Sequence, residues 1–287
     1  IPMSSPAIYD PHAFYQSHSQ ISNPGIYSDQ YKDLPSDIPG LVKLIQGFLI
    51  HIYHAEAQGV SLYRKRTNEV LIRTVPEKLK RLFEMDERPL LLMREPKNKL
   101  VGNCRDFALF LCSFLRHQQV PARVRCGFAD YLVPDKLEPH WICEHWHEPI
   151  NKWVQVDAQL DNYQLQLLKI DFNPFDLPEN RFVIPGKIWL SKNSKTDKAQ
   201  IPKPMQLLTF GLSKNSLVRD FLALNKIEVL PQDNFQLMNK KMAQLNSADK
   251  TLLAKLATIS TGSDRDFLMM RAAYITHSQD LLPRYFI

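Results

Sequence analysis

Cysteine is scarce in this chain of 287 residues: Cys104, Cys112, Cys126 and Cys143 are its four. They form no Cys-x-x-Cys pair and no disulfide-framework spacing. That excludes a disulfide scaffold and a paired-cysteine zinc site, and it reads as reduced thiols in a reducing, cytoplasmic setting. Long apolar runs are also missing. The longest stretches, such as 41–52, are broken by polar residues, so no segment has the eighteen apolar residues of a membrane span. No signal-peptide h-region follows Ile1. Positive charge is not gathered into a block. The net charge is +6, spread along the chain, which argues against a dedicated nucleic-acid binder or a membrane-surface protein. There is no internal repeat and no D-x-D-x-D-G calcium loop.

What is present is ordinary globular material, 44% hydrophobic and 23% charged, enough for one large domain or two small ones. Residues 1–40 are rich in Pro, Ser, Tyr and His without sustained periodicity, and read as an irregular arm. From Leu41 the apolar spacing turns helical, through Leu44, Ile45, Phe48, Leu49 and Ile52. A second helix is expected over 75–83, with Pro76 in its first turn. A third is expected over 105–119, with a stripe of Phe107, Ala108, Leu111, Cys112 and Leu115, stopped by Pro121. "ARVRCGFADYL", "HWICEHW" and "KWVQVDAQL" read as strands, and 187–204 as a Lys-rich surface loop. Further helices are expected over 215–230, 249–256 and 264–275.

Cys104 stands apart from its fellows. Cys112 lies within a periodic apolar stretch and Cys126 in a strand, which suits core filling. Cys104 follows a Gly-Asn turn at the mouth of the third helix, where the helix dipole favours a thiolate. A nucleophile also needs a base. If "HWICEHW" and "NKWVQVD" form a hairpin around the loop His147–Glu148–Pro149–Ile150, His140 falls directly opposite Asp157. Asp157 would then fix the imidazole tautomer, and His140 would serve the thiol. Cys143, His145 and His147 alternate along one strand face. Three ligands on one flat strand rarely converge on a tetrahedral ion, so no metal is expected. Asp106, in the first helical turn, suits a capping role; Arg123 suits a core carboxylate partner; Asp161 lies beyond the strand.

The stretch "GNCRDFALFLCSFLRHQQVPARVRCGF", followed by "HWICEHW" and "KWVQVDAQLD", resembles the transglutaminase-like core. Its marks are a Gly-x-Cys helix start, an Arg-x-x-x-[Val/Ile]-Pro-Ala-Arg helix exit (here Arg116 to Arg123), a His strand and a Trp-x-x-x-Asp strand. The resemblance covers residues 98–161. More loosely, "RFVIPGKIW" and "NSLVRDFLALNKIEVLP" resemble the downstream part of bacterial transglutaminase-like proteins.

The resemblance implies an α+β fold, a papain-like central helix on an antiparallel sheet with helical segments at both ends. It implies Cys104 as nucleophile, His140 as base and Asp157 as orienter. The Cys104 backbone N–H would supply one oxyanion donor, with Asn68, Tyr63 and Tyr53 as candidates for another. Trp153 and Trp141 are candidate cleft walls. The expected organisation is an arm at 1–40, a helical part at 41–97, the catalytic core at 98–175 and a mainly helical part at 176–287. The expected chemistry is attack on an amide through a thioester, on a protein or peptide substrate, without cofactor, nucleic acid or membrane. Hydrolysis is favoured over crosslinking, since the β-sandwich domains and calcium sites of animal crosslinking enzymes are not legible here. The other reading is an inactive scaffold of the same core. The presence of Cys, His and Asp together favours the enzyme.

Overall fold

Pro121 and Asn151 stand at two turns of the chain. In the computed structural model, which describes residues 10–193 and 210–283, Pro121 follows the central helix and admits strand β3 (Ala122–Ala129). Asn151, at φ 51° and ψ 49°, closes the hairpin between β4 (Glu138–His147) and β5 (Lys152–Val156). Asn tolerates this left-handed conformation better than most residues. The strand order is β5-β4-β3-β6, with β6 at Phe182–Val183. The architecture is α+β, as expected.

The chain divides into two units, one of residues 12–124 and 141–178, the other of 1–11, 125–140 and 179–287. The first unit holds helices α1 (Pro11–Gln16), α2 (Ile38–Phe48), α3 (Val75–Met85) and α4 (Cys104–His117), with α5 (Asn162–Leu167) after β5. Each long helix starts on a local signal. Asp37 Oδ1 accepts from Gly40 N–H at 2.8 Å, with Pro39 in the first turn of α2. Thr74 and Glu77 form a capping box on α3. Helix α4 is not the one-sided amphipath its sequence suggests: every residue from Arg105 to Arg116 is buried. One side meets α2, with the Phe48 and Phe110 rings 4.9 Å apart. Another meets the hairpin, where Cys112 acts on the Cys143 thiol, whose Sγ donates to Glu144 O at 3.7 Å. A third meets the N-terminal arm. There Tyr31 Oη lies 3.0 Å from Ser113 Oγ, and Arg116 donates to Ser22 Oγ at 2.9 Å. From residue 10 onward the arm carries α1 and a 3-10 turn at Gly25–Tyr31, with Tyr15 and Tyr31 buried.

One departure in this unit follows from long-range strand pairing. The helical run from Leu41 stops at Phe48, and Leu49–His51 becomes strand β1. It pairs in parallel with β2 (Leu100–Gly102), Leu49 with Leu100 and His51 with Gly102. The pairing satisfies backbone that a longer helix would have spent internally.

In the second unit the end of β3 pairs with β6, Phe128 opposite Val183. Gly127 is required there, because a Cβ would stand 2.4 Å from Phe182 Cζ. Helices α6 (Pro185–Asn193), α7 (Phe210–Leu224) and α8 (Ser247–Ser260) pack on one another, and α9 (Phe267–Leu281) packs on α8. Residues 187–193 are therefore helix and not surface loop, while 194–204 lie outside the described residues. Helix α7 starts earlier than its apolar spacing indicates and ends at Leu224. The buried Val229 and Leu230 that extended the pattern belong to the following loop. Asp220 on α7 takes a two-pronged ion pair from Arg125 on β3, both contacts at 2.8 Å, and accepts from Cys126 N–H at 3.1 Å. No helix among the described residues is long and apolar enough to cross a membrane.

Candidate active site

The parallel pair β1–β2 delivers the chain to Cys104. Gly102 ends β2 at a close approach: a Cβ there would meet Leu49 Cδ1 at 2.9 Å and Asp106 Oδ2 at 3.1 Å. Asn103 is the N-cap in extended conformation, and Cys104 is the first residue of α4. Its N–H is one of the helix-start donors that have no intrahelical acceptor. Of the four thiols only Cys104 is not fully buried.

The cap runs in one direction. Asp106 Oδ2 accepts from Asn103 N–H at 3.1 Å, whereas Asn103 Oδ1 is enclosed without a hydrogen-bond partner among the described residues. The Asp106 carboxylate also meets Lys78 Nζ at 3.0 Å and Arg105 at 3.2 Å, all three side chains wholly buried. Burial pulls the Lys78 ammonium down from its ordinary value, and Asp106 acts against that. Beside them Glu69, 2% exposed, accepts from Arg66 at 3.2 Å, from Arg81 at 2.9 Å and from Val101 N–H in β2 at 2.8 Å. Asp106 is thus a cap, as its position in the sequence indicates. The ionic bed beneath the cap is not legible locally, because Glu69, Lys78 and Arg81 lie 25–37 residues upstream of Asp106 in chain order.

His140 lies in β4 and is 1% exposed; its ring stands edge-on to Tyr131, with centroids 6.0 Å apart. Asp157 follows the end of β5 and is also 1% exposed. Its N–H donates to Pro174 O at 2.8 Å, and its Oδ1 accepts from Gln159 N–H at 3.0 Å. Two glutamines and a third amide stiffen this turn. Gln159 and Gln164 bond each other twice at 2.8 Å, and Gln46 donates to Ala158 O at 3.1 Å. Asp161 is the N-cap of α5, accepting from Gln164 N–H at 2.8 Å.

The expected hairpin register needs correction. The loop does contain four residues, but it runs from Glu148 to Asn151, so His147 pairs with Lys152, Trp146 with Trp153 and Cys143 with Val156. His140 is therefore not directly opposite Asp157; the ladder, continued by one pair, would set Ile142 there. The left-handed Asn151 moves the turn by one residue and the register by two, which preserves the parity of every side chain.

Trp153 lies against Arg123, whose guanidinium is 3.9 Å from the ring centroid, and beside Tyr15 and Trp146. Arg123 in turn pairs with Glu144 at 2.7 Å, the core carboxylate expected for it. Trp141 is 3% exposed. Tyr53 and Tyr63 are exposed, at 86% and 58%. Cys143 is held well above the ordinary thiol range by burial first and by Cys112 next. Among the described residues no group of three His, Cys, Asp or Glu side chains is placed to hold a metal ion.

Residues 65–158 match the family model described as the transglutaminase-like superfamily, a span that includes Cys104, His140 and Asp157. A solved structure of a proposed cysteine protease from Cytophaga hutchinsonii is 16% identical, with a TM-score of 0.34. The match covers 64% of this chain and 66% of that one, just under two thirds of its length. No curated protein matches the chain.

Proposed function

From the premise that residues 65–158 are a transglutaminase-like superfamily domain, we propose a cysteine-nucleophile enzyme that cleaves an amide through a thioester. The observation that carries this reading is the setting of Cys104: the one incompletely buried thiol of the four, at the first position of a fourteen-residue helix. Helix N-termini stabilise thiolates.

In the proposed cycle the Cys104 sulfur attacks the amide carbonyl, and the Cys104 N–H donates to the developing oxyanion. His140 takes the thiol proton and returns it to the departing amine as the C–N bond breaks. Asp157 orients the imidazole. Water then adds to the thioester, and its collapse releases the acid and the thiol. Hydrolysis is preferred over crosslinking, because an acceptor amine has to be bound beside the thioester whereas water does not. The substrate is proposed to be a peptide, isopeptide or side-chain amide, and Trp153 and Trp141 are proposed as its contacts.

The test is to trap the acyl-enzyme. Activated peptide esters are mixed with the protein, quenched in acid and read by intact mass. A single thioester adduct on Cys104, absent in Cys104→Ala, supports the cycle. No adduct across an ester panel, with Cys104 intact, would favour the inactive scaffold.

A further inference from the structure

The ion pair under the helix start has no evident purpose in stability alone. Lys78 and Asp106 are both wholly buried, and desolvating such a pair often costs more than the attraction returns. An apolar pair of similar volume would often hold the fold as well. Its position is specific, however. Asp106 is two residues from Cys104, and its carboxylate holds the N–H of Asn103, the residue immediately before the thiol. Left alone, a carboxylate at that place would oppose formation of a thiolate.

We propose that Lys78 is a positioning residue for the Cys104 nucleophile: its ammonium clamps the Asp106 carboxylate onto the helix cap and cancels its charge beside the thiol. The role rests on the reading of Cys104 as a nucleophile. Around the cap, the charged groups are Lys78 and Arg81 on α3, Arg105 and Asp106 on α4, and Arg66 and Glu69 from the segment before α3. Glu84 on α3 also meets Arg81, at 3.6 Å, which makes four cations against three carboxylates. His51 of β1 adds an imidazole, opposite Gly102 and 6.4 Å from the Phe107 ring. Loss of the Lys78 charge leaves Asp106 with Arg105 as its one ion-pair partner and lowers the net charge around Cys104 by one.

The experiment is the rate of Cys104 alkylation by iodoacetamide against pH, with circular dichroism to check the fold. Lys78→Met is expected to slow labelling at pH ~6 by about tenfold and to displace the curve toward higher pH. The double variant Lys78→Met, Asp106→Asn removes one charge of each sign and keeps an oxygen for the Asn103 N–H. It is expected to recover to within about threefold of wild type. Lys78→Arg is expected to stay close to wild type. Lys78→Gln keeps a donor without the charge and carries the same expectation as Met if the Met variant does not fold. Folded Lys78→Met or Lys78→Gln protein with an unmoved curve would overturn the role, as would a double variant as slow as the single one. Wild-type Cys104 labelling no faster than a free thiol would overturn the nucleophile itself.

Discussion

At the scale of single residues, Glu69 shows how much of the site depends on groups far from it in sequence. Its carboxylate joins Arg66, Arg81 and the β2 backbone at Val101, three residues before Cys104. Removing it takes one carboxylate from two guanidinium groups, which keep Lys97 O, Lys99 O and Glu84, and leaves the buried Val101 N–H without its acceptor. Glu69→Ala is expected to cost about 3–5 kcal/mol, read as a fall in the urea midpoint with unchanged slope. Local sequence could not have shown this. Cys104 was legible because a thiol after Gly-Asn at a helix mouth is unusual by itself. Asp106 was legible as a cap from its place in the first turn. Glu69 and Lys78 read as ordinary charged positions on helical segments, and only tertiary packing turns them into a buried bed.

At the scale of elements, the three strands of the core and the helix after Gly102 follow directly from apolar alternation and from Pro121 as a stop. The strand β1 was not legible, since Leu49–His51 continues a helical spacing and only its parallel partner 51 residues away diverts it. The hairpin register failed for a local reason: the loop length was right, but the left-handed position went to Asn151. Asn151→Val is expected to destabilise by about 1–2 kcal/mol, because a β-branched residue resists that conformation. Asn151→Gly is expected to be nearly neutral. Chemical denaturation of both variants measures the difference, and equal losses would place the cost elsewhere than in the turn.

For the molecule as a whole, the buried acids Cys143 and Tyr31 contribute to how it meets alkali. Burial raises both above their ordinary values, with Cys112 adding to the effect at Cys143. A group raised in the folded state contributes stability that is complete below its unfolded pKa and is lost as pH rises beyond it. For Cys143 the loss begins near pH ~8.5 and for Tyr31 near pH ~10. Lys78, Lys99, Lys192 and Lys214, lowered by burial, act with the opposite sign, so wild type alone does not separate them. Cys143→Ala is expected to lose stability less steeply than wild type between pH ~8.5 and pH ~10, seen in the dependence of Tm on pH. Parallel slopes would remove Cys143 from the account.

The central claim is that Cys104 is a nucleophile served by His140, and labelling of native protein tests it most directly. Iodoacetamide is applied at pH ~6 to wild type and to His140→Ala, with peptide mapping of the alkylated thiols. Cys104 is expected to label rapidly and alone, since Cys112, Cys126 and Cys143 are buried, and the His140 change is expected to slow it about tenfold or more. Equal rates in the two proteins, or a wild-type Cys104 no faster than a free thiol, would contradict the claim.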